Sequence, residues 1–422
     1  MTFKVEGCDA MDLQPSQTTF KHYLIFLSGQ FTSMLGSSVA QFVITWWITL
    51  ETRSTVYLSI ASFATFTPFV VLTPFTGVFA DRWNRKILIG VTDFLQALIA
   101  LMIILLFWFN VISVWTLIVL IAVRSVFQAF QAPAISTLIP LMVPSDKLSR
   151  INGLNFLLGG AVGFIGPITA AVMLEIWAIH EILWLDVTTF LIAVIPLTMI
   201  KIPTRRIKTS EEKTSFARDF IDGLAFIKHT KGFMAVFMMA MMINFLAMPL
   251  DVLLPYYIKF THQGEASELA FIVAASQIGM LLGGVLMSVI KGFRRKMLTA
   301  MYFLYVFFAM YALIALSPKG FFWLIASAMF ASHFCLPIIN VSFITLVQII
   351  VPKHLYGRVS SVMMTLCNLA SPVGMIISGP LADYMGIVNL FLGCSILGTL
   401  CLTLSLLFTD IRCFEEEANI TK

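Results

Sequence analysis

Twelve apolar stretches, each long enough to cross a membrane as a helix, run from near the start of the chain to near its end, and nothing else in the sequence restricts the fold so strongly. About 20 apolar residues in an α-helix span a hydrocarbon layer ~30 Å thick. A water-soluble fold would have to hide all twelve, and the composition leaves too little polar surface to cover them. Of 422 residues, 59% are hydrophobic and 12% charged, against roughly 25% charged in an ordinary soluble domain. The stretches fall at 21–50, 55–80, 87–109, 113–140, 151–174, 182–200, 232–258, 268–290, 297–316, 320–348, 359–382 and 386–409. Backbone groups in lipid must find partners within their own segment. The expected fold class is therefore an all-α polytopic membrane protein with twelve transmembrane helices.

The cations give the orientation. Twenty-three of the 27 Lys and Arg residues lie on the side that also holds the amino terminus, three (Arg53, Lys259, Lys319) on the other, and Arg124 inside a stretch. The cytoplasmic side of membrane proteins carries such an excess, so both termini are expected in the cytoplasm. The net charge of +5 then reports loops and anionic lipid headgroups, and requires no nucleic-acid partner. The first 20 residues carry Glu6, Asp9 and Asp12 but no basic n-region or cleavage site, so this tail is expected to remain on the mature chain. The six cysteines (Cys8, Cys335, Cys367, Cys394, Cys401, Cys413) are scattered without a CxxC pair and read as small core residues. There is no HExxH, no histidine cluster and no GxxxxGK[ST] loop. Accordingly no metal, cofactor or nucleotide is expected, and no enzymatic activity.

A long polar segment, 201–231, divides the chain into a bundle over 21–200 and another over 232–409, with tails at 1–20 and 410–422. A shift of 208 positions places Thr137-Leu138 on Thr345-Leu346, Val143-Pro144 on Val351-Pro352, Arg150 on Arg358, Gly166 on Gly374 and Glu175 on Asp383 without a gap. Two equivalent six-helix halves around a central path are the architecture of many secondary transporters, which expose a midplane site to each side in turn. A sensor or scaffold would need a soluble domain to pass on its signal, and no segment here is long enough. Glu175 and Asp383 are expected to end the fifth and eleventh helices at the outer surface in a structural role.

The segment GVFADRWNRK, residues 77–86, is the most charged turn between two apolar stretches. Gly77 and Asp81 stand four residues apart, on one helix face. The glycine permits close approach of another backbone, and the aspartate can meet the orphan N–H groups at a helix amino terminus. Arg82, Arg85 and Lys86 are expected to anchor at headgroups or pair with acids, and Asp93 lies within reach of Arg85 or Arg82. The expectation is a latch for one transporter state.

The pattern G-x-x-x-D-R-x-x-R-K at Gly77, Asp81, Arg82, Arg85 and Lys86 resembles the signature loop of the major facilitator superfamily. GQFTSMLGSSVAQFVITWW (29–47), TPFTGVFADRWNRKILIGVTDFLQAL (73–98), RSVFQAFQAPAISTLIPLMVP (124–144) and RINGL (150–154) resemble its third drug:proton antiporter family, typified by macrolide-efflux proteins; VPKHLYGRVSSV and GPLADYMG carry the likeness in the second half. The resemblance implies two pseudo-symmetric six-helix bundles, a monomer in the inner (plasma) membrane, and export of amphipathic, largely apolar compounds in exchange for protons. Nearby branches export siderophores or move lysophospholipids, so those substrates, with or without proton coupling, stay open. Two positions depart from the antiporter motifs: Gln128 stands four residues after Arg124, and Val162 four before Gly166-Pro167, where those motifs carry glycine.

In that fold the first, fourth, seventh and tenth helices line the path. The implied substrate-binding candidates are Gln30, Gln41, Gln128, Gln131, Asn244 and Asn340. The coupling candidates are Arg124, which at mid-membrane calls for a bundle-facing partner, and the titratable groups Asp251, Asp186, Glu51 and His333. Asp251 ranks first among the acids because its helix lines the path.

Overall fold

The computed structural model describes residues 17–200, 216–230, 232–290, 293 and 295–408; side chains are not described at 17, 74, 77–82, 216–220, 222, 223, 353, 354 and 408. Among the described residues every regular element is helical. Twelve helices are long and apolar enough to cross a membrane. They are α1 (Gln17–Thr52), α2 (Thr55–Arg82), α3 (Arg85–Trp108), α4 (Val114–Ser136), α5 (Leu148–Ile176) and α6 (Ile179–Met199) in the first half. The second half holds α7 (Phe233–Tyr256), α8 (Ala266–Val289), α9 (Lys296–Ala315), α10 (Phe322–Ile350), α11 (Lys353–Met385) and α12 (Ile387–Phe408).

Local chemistry sets the helix ends. Asn84 caps α3 by accepting from the N–H groups of Lys86 and Ile87, and Ser113 caps α4 by accepting from Thr116. The fourth stretch, expected to run to residue 140, breaks after Ser136, soon after Pro133, and resumes as a single turn, Ile139–Met142. Gly386 turns α11 into α12 with φ +86°, a left-handed conformation that glycine adopts without steric cost. The seventh helix continues into one π-helical turn, Tyr257–Thr261. The segment 201–231, read from sequence as a polar break, contains a helix, Phe216–His229, that packs against α11 and α7.

Lipid is as apolar as leucine, so helices associate in it through close packing, small residues and hydrogen bonds. A Cβ on Gly36 of α1 would stand 2.0 Å from Thr189 Oγ1 of α6, and one on Gly279 or Gly283 of α8 would stand 2.3 Å from a carbonyl of α10. Those glycines hold α1 to α6 and α8 to α10. At the end away from the 201–231 linker, Tyr257 and Tyr311 both lie tilted against Phe391, with centroids 5.2 and 5.6 Å apart, and tie the π turn after α7 to α9 and α12.

The halves meet mainly along two helix pairs, α2 with α11 and α5 with α8, with lighter contacts of α1 and α2 to α7. In the second, Gly160 faces Leu281, Gly163 faces Gln277 and Gly284 faces Phe156. The end of the first pair away from the linker is called here the far side. There Thr55 Oγ1 lies 2.9 Å from the Gly379 carbonyl and bonds Asp383, and Ser59 meets Ser378 at 3.0 Å. On the same side Lys259 Nζ sits 5.8 Å over the Trp46 ring of α1 while ion-pairing with Glu265 at 2.7 Å.

Candidate transport site

Three polar groups sit within the bundle. In the first, Arg124 of α4 reaches Asp186 of α6 at 2.8 Å. Its second guanidinium nitrogen donates to Ser37 of α1 at 3.0 Å, and Ser37 donates in turn to the other Asp186 oxygen at 2.8 Å. The Arg124 and Asp186 side chains are 18% and 6% exposed, behind Ala40, Ile44, Ala100, Ile103 and Leu183. The small residues Gly36-Ser37-Ser38 make this possible. Gly36 brings α6 close, Ser37 bridges the ions, and Ser38 sits where a Cβ on Gly166 of α5 would collide with it. Arg124 thus has the partner its depth demands, and that partner is one of the acids expected to couple. Ser37 was not singled out from sequence; the signal was the run of three small residues in an otherwise bulky helix.

The second group is built around Asp93 of α3. Its carboxylate accepts from Gln131 of α4 and hydrogen-bonds Gln30 of α1, while Gln96 donates to the Gln131 oxygen at 2.9 Å. Gln30 and Asp93 are both buried. Two amides expected to touch substrate are therefore engaged with an acid expected to gate.

Of the loop motif, the side chains of Gly77, Asp81 and Arg82 lie outside the described residues. Arg85 and Lys86 both find partners within the first half. Arg85 is buried and donates to Thr137 at 3.1 Å. Lys86 Nζ donates to the carbonyls of Thr198 and Ile200, at 2.8 and 2.7 Å. Those carbonyls lie in the last turn of α6 and at the residue that follows it, where helix carbonyls lack partners and a cation is favoured.

The third group lies in the second half. Asp251 of α7 faces His333 of α10, with Oδ1 and Nε2 3.9 Å apart. The other ring nitrogen, Nδ1, sits 3.1 Å from the Met329 carbonyl. With a proton on Nδ1 donated to that carbonyl, the neutral ring turns a lone pair toward the carboxylate. Asp251 keeps 48% of its side-chain surface and His333 13%. Tyr311 of α9 lies beside Asp251, its buried hydroxyl close to Cys394 and the Leu250 backbone.

Gln41, Gln128 and Asn340 are also exposed, on α1, α4 and α10, and Asn244 of α7 is half-buried with its amide on the Ala240 carbonyl at 2.9 Å. Polar groups well inside membrane helices are costly against lipid and face the bundle interior or a water-filled cavity. These side chains belong to the four helices expected to line a path. Glu51 and Glu175 are exposed at the far-side ends of α1 and α5.

Residues 26–375 match the family model of the Major Facilitator Superfamily. The chain belongs to that superfamily. It is a multi-pass membrane transporter and not an enzyme. Macrolide efflux protein A of Streptococcus pyogenes is 27% identical over 373 residues, covering 88% of this chain and 92% of the relative. The Staphyloferrin A transporter of Staphylococcus aureus is 24% identical over 404 residues, covering 93% and 98%. Among solved structures, a bacterial homologue of the iron transporter ferroportin in an inward-facing state superposes with a TM-score of 0.70 at 14% identity, over 91% of this chain and 98% of that one. That likeness bears on the fold alone.

Proposed function

We propose that the protein exports amphipathic, largely apolar compounds of the macrolide type by alternating access, in exchange for protons. Its linker side and both termini face the cytoplasm, in the inner (plasma) membrane of a bacterial cell, and it works as a monomer. The observation that carries the proton part is the Asp251–His333 pair, one acid and one base 3.9 Å apart on two path-lining helices. Protonation of that pair from the outside and its discharge inward would alternate with outward passage of substrate. The exposed amides Gln41, Gln128 and Asn340 would bind polar groups of the cargo. The methionines of α7 near Asn244 in sequence, Met241 and Met242, suit varied apolar surfaces, because thioethers deform at little cost. Arg124 and Asp186, closed into an ion pair inside the first half, would fix the geometry of α1, α4 and α6 around the path. Asp81, with Gly77 and Arg82, would latch the linker side when the far side opens.

The test is flux in liposomes holding the purified protein, with lumenal pH followed by a dye after a macrolide or a panel of amphipathic cations is added under an imposed pH gradient. Substrate-dependent proton flux in the wild type, lost in Asp251→Asn, supports the reading. Substrate movement without proton flux removes the antiport. A second reading, siderophore export, has the likeness to the Staphyloferrin A transporter behind it. Movement of an iron-free siderophore alone in the same liposomes would establish it, and movement of a lysophospholipid alone would point to a flippase.

A further inference from the structure

The loop motif at the linker end of α2 has a counterpart at the far end of α11. Gly77-Val-Phe-Ala-Asp81 and Gly379-Pro-Leu-Ala-Asp383 share G-x-x-A-D, and a hydroxyl residue, Thr76 or Ser378, precedes each. The two helices run antiparallel in the same seam, so the two motifs lie at opposite faces of the membrane. Each is at the carboxyl end of its own helix, and the far-side one faces the first turn of α2.

The far-side copy is engaged. A Cβ on Gly379 would stand 2.7 Å from Val56 Cα and 2.7 Å from the Thr55 carbonyl, so the glycine lets α2 and α11 touch backbone to backbone. Asp383 accepts from the Thr55 hydroxyl in the first turn of α2, where an anion also meets the positive end of the helix dipole. Ser378 and Ser59 close the contact one turn deeper. Near the linker end of α11, two described positions lack such contacts. Gly357 faces open space, and the Ser360 hydroxyl is buried without a hydrogen-bond partner.

We propose that Gly379 and Asp383 form a far-side latch, the inverted twin of Gly77 and Asp81, and that the transport cycle exchanges one for the other along the α2/α11 seam. Each latch seats a glycine and an aspartate from the end of one helix on the opening turns of its partner. In this structure the far-side latch is closed. The proposal rests on alternating access, as set out under Proposed function. It assigns to Asp383 a gating role in place of the purely structural one expected from its position in the repeat.

The test reads the two ends separately by electron-electron double resonance in lipid nanodiscs, with the six native cysteines replaced. One nitroxide pair, at the exposed positions Glu51 and Tyr384, reports the far side. A second pair, at the exposed positions Asn84 and Gln348, reports the linker side. Asp383→Asn should cut the ratio of closed to open far-side populations by roughly ten-fold, as loss of a charge-assisted hydrogen bond would, and should raise the closed linker-side population. Thr55→Val, which removes the donor and keeps the shape, should do the same, so the outcome does not hang on one variant. Asp81→Asn should shift both pairs the other way. Unchanged distances in Asp383→Asn and Thr55→Val, or shifts in the same sense as Asp81→Asn, would overturn the latch. The distances need no substrate. Variants that shift as described, in a protein whose wild type moves no compound in liposomes, would leave the latch standing and remove the export reading.

Discussion

The substitution Asp186→Asn removes one charge and leaves every atom position almost unchanged, so it isolates what the Arg124 ion pair contributes. At 2.8 Å and an effective dielectric of ~20, the Coulomb attraction is about 6 kcal/mol, and desolvation of the two ions offsets much of it. Arg124 cannot shed its proton, so in the variant a guanidinium stays 18% exposed with an amide and the Ser37 hydroxyl as its neighbours here. Breaking a buried pair from one side costs about 3–5 kcal/mol. Replacing both partners, as in Arg124→Met with Asp186→Leu, should return the stability to within ~1–2 kcal/mol of wild type, since no charge is then stranded. Ser37→Ala should cost about 1.5–3 kcal/mol, because both of its hydrogen bonds go to charged groups. The assay is equilibrium unfolding of the purified protein in mixed micelles with increasing denaturing detergent. A loss below ~1 kcal/mol in Asp186→Asn, or a double variant as unstable as the single one, would refute the pair as a closed, buried unit.

Three further outcomes follow from other parts of the molecule. Gly283→Leu drives a branched side chain into the Phe334 carbonyl, 2.3 Å from the first added carbon, and should cost ~1–3 kcal/mol as overpacked cores do, read as a lower thermal midpoint. His262, just beyond the end of α7, has its pKa lowered by burial and by nearby Lys319. The unfolded chain therefore binds its proton more readily, and stability should hold above the ordinary histidine value near 6.5 and fall as pH drops from there toward the lowered value. Thermal midpoints recorded against pH should show that acid-side loss, and His262→Gln should flatten it. Asp81→Asn should impair transport while leaving ligand affinity within a few-fold; affinity lost together with the charge would refute its gating role.

How much could be read without coordinates differs by kind of interaction. The helices were legible, because about twenty apolar residues in lipid leave a backbone few other options. The boundaries drifted where a proline or a small amphipathic segment intervened, as after Pro133 and within Phe216–His229. The sequence demanded a partner for Arg124 but could not choose among Asp186, Asp251 and Glu51, since the choice depends on which helices pack together. Asp251 and His333 were both candidates, yet 82 positions separate them in the sequence, and nothing local says that α7 and α10 meet there. Gln30 and Gln131 look the same in sequence whether they face cargo or an acid. Ser37, Thr55 and Gln96 were invisible for a related reason: a lone hydroxyl or amide in a helix gives no sign of its partner across a packing contact.

The ion pair inside the first half also bears on how the chain enters the membrane. Arg124 is synthesised roughly sixty residues before Asp186, an interval of ~3–12 s at typical elongation rates of about 5–20 residues per second. Throughout that time α4 has its guanidinium but not its carboxylate, and a lone arginine at the centre of a bilayer costs about 2.5–3.5 kcal/mol on insertion scales. The flanking apolar residues of α4 must outweigh that penalty, or the helix must wait beside the insertion machinery until α6 arrives. The first half can then reach its final packing only as a complete set of six, so a nascent chain halted before α6 would display an unmatched charge to whatever surveys the membrane for unfinished proteins.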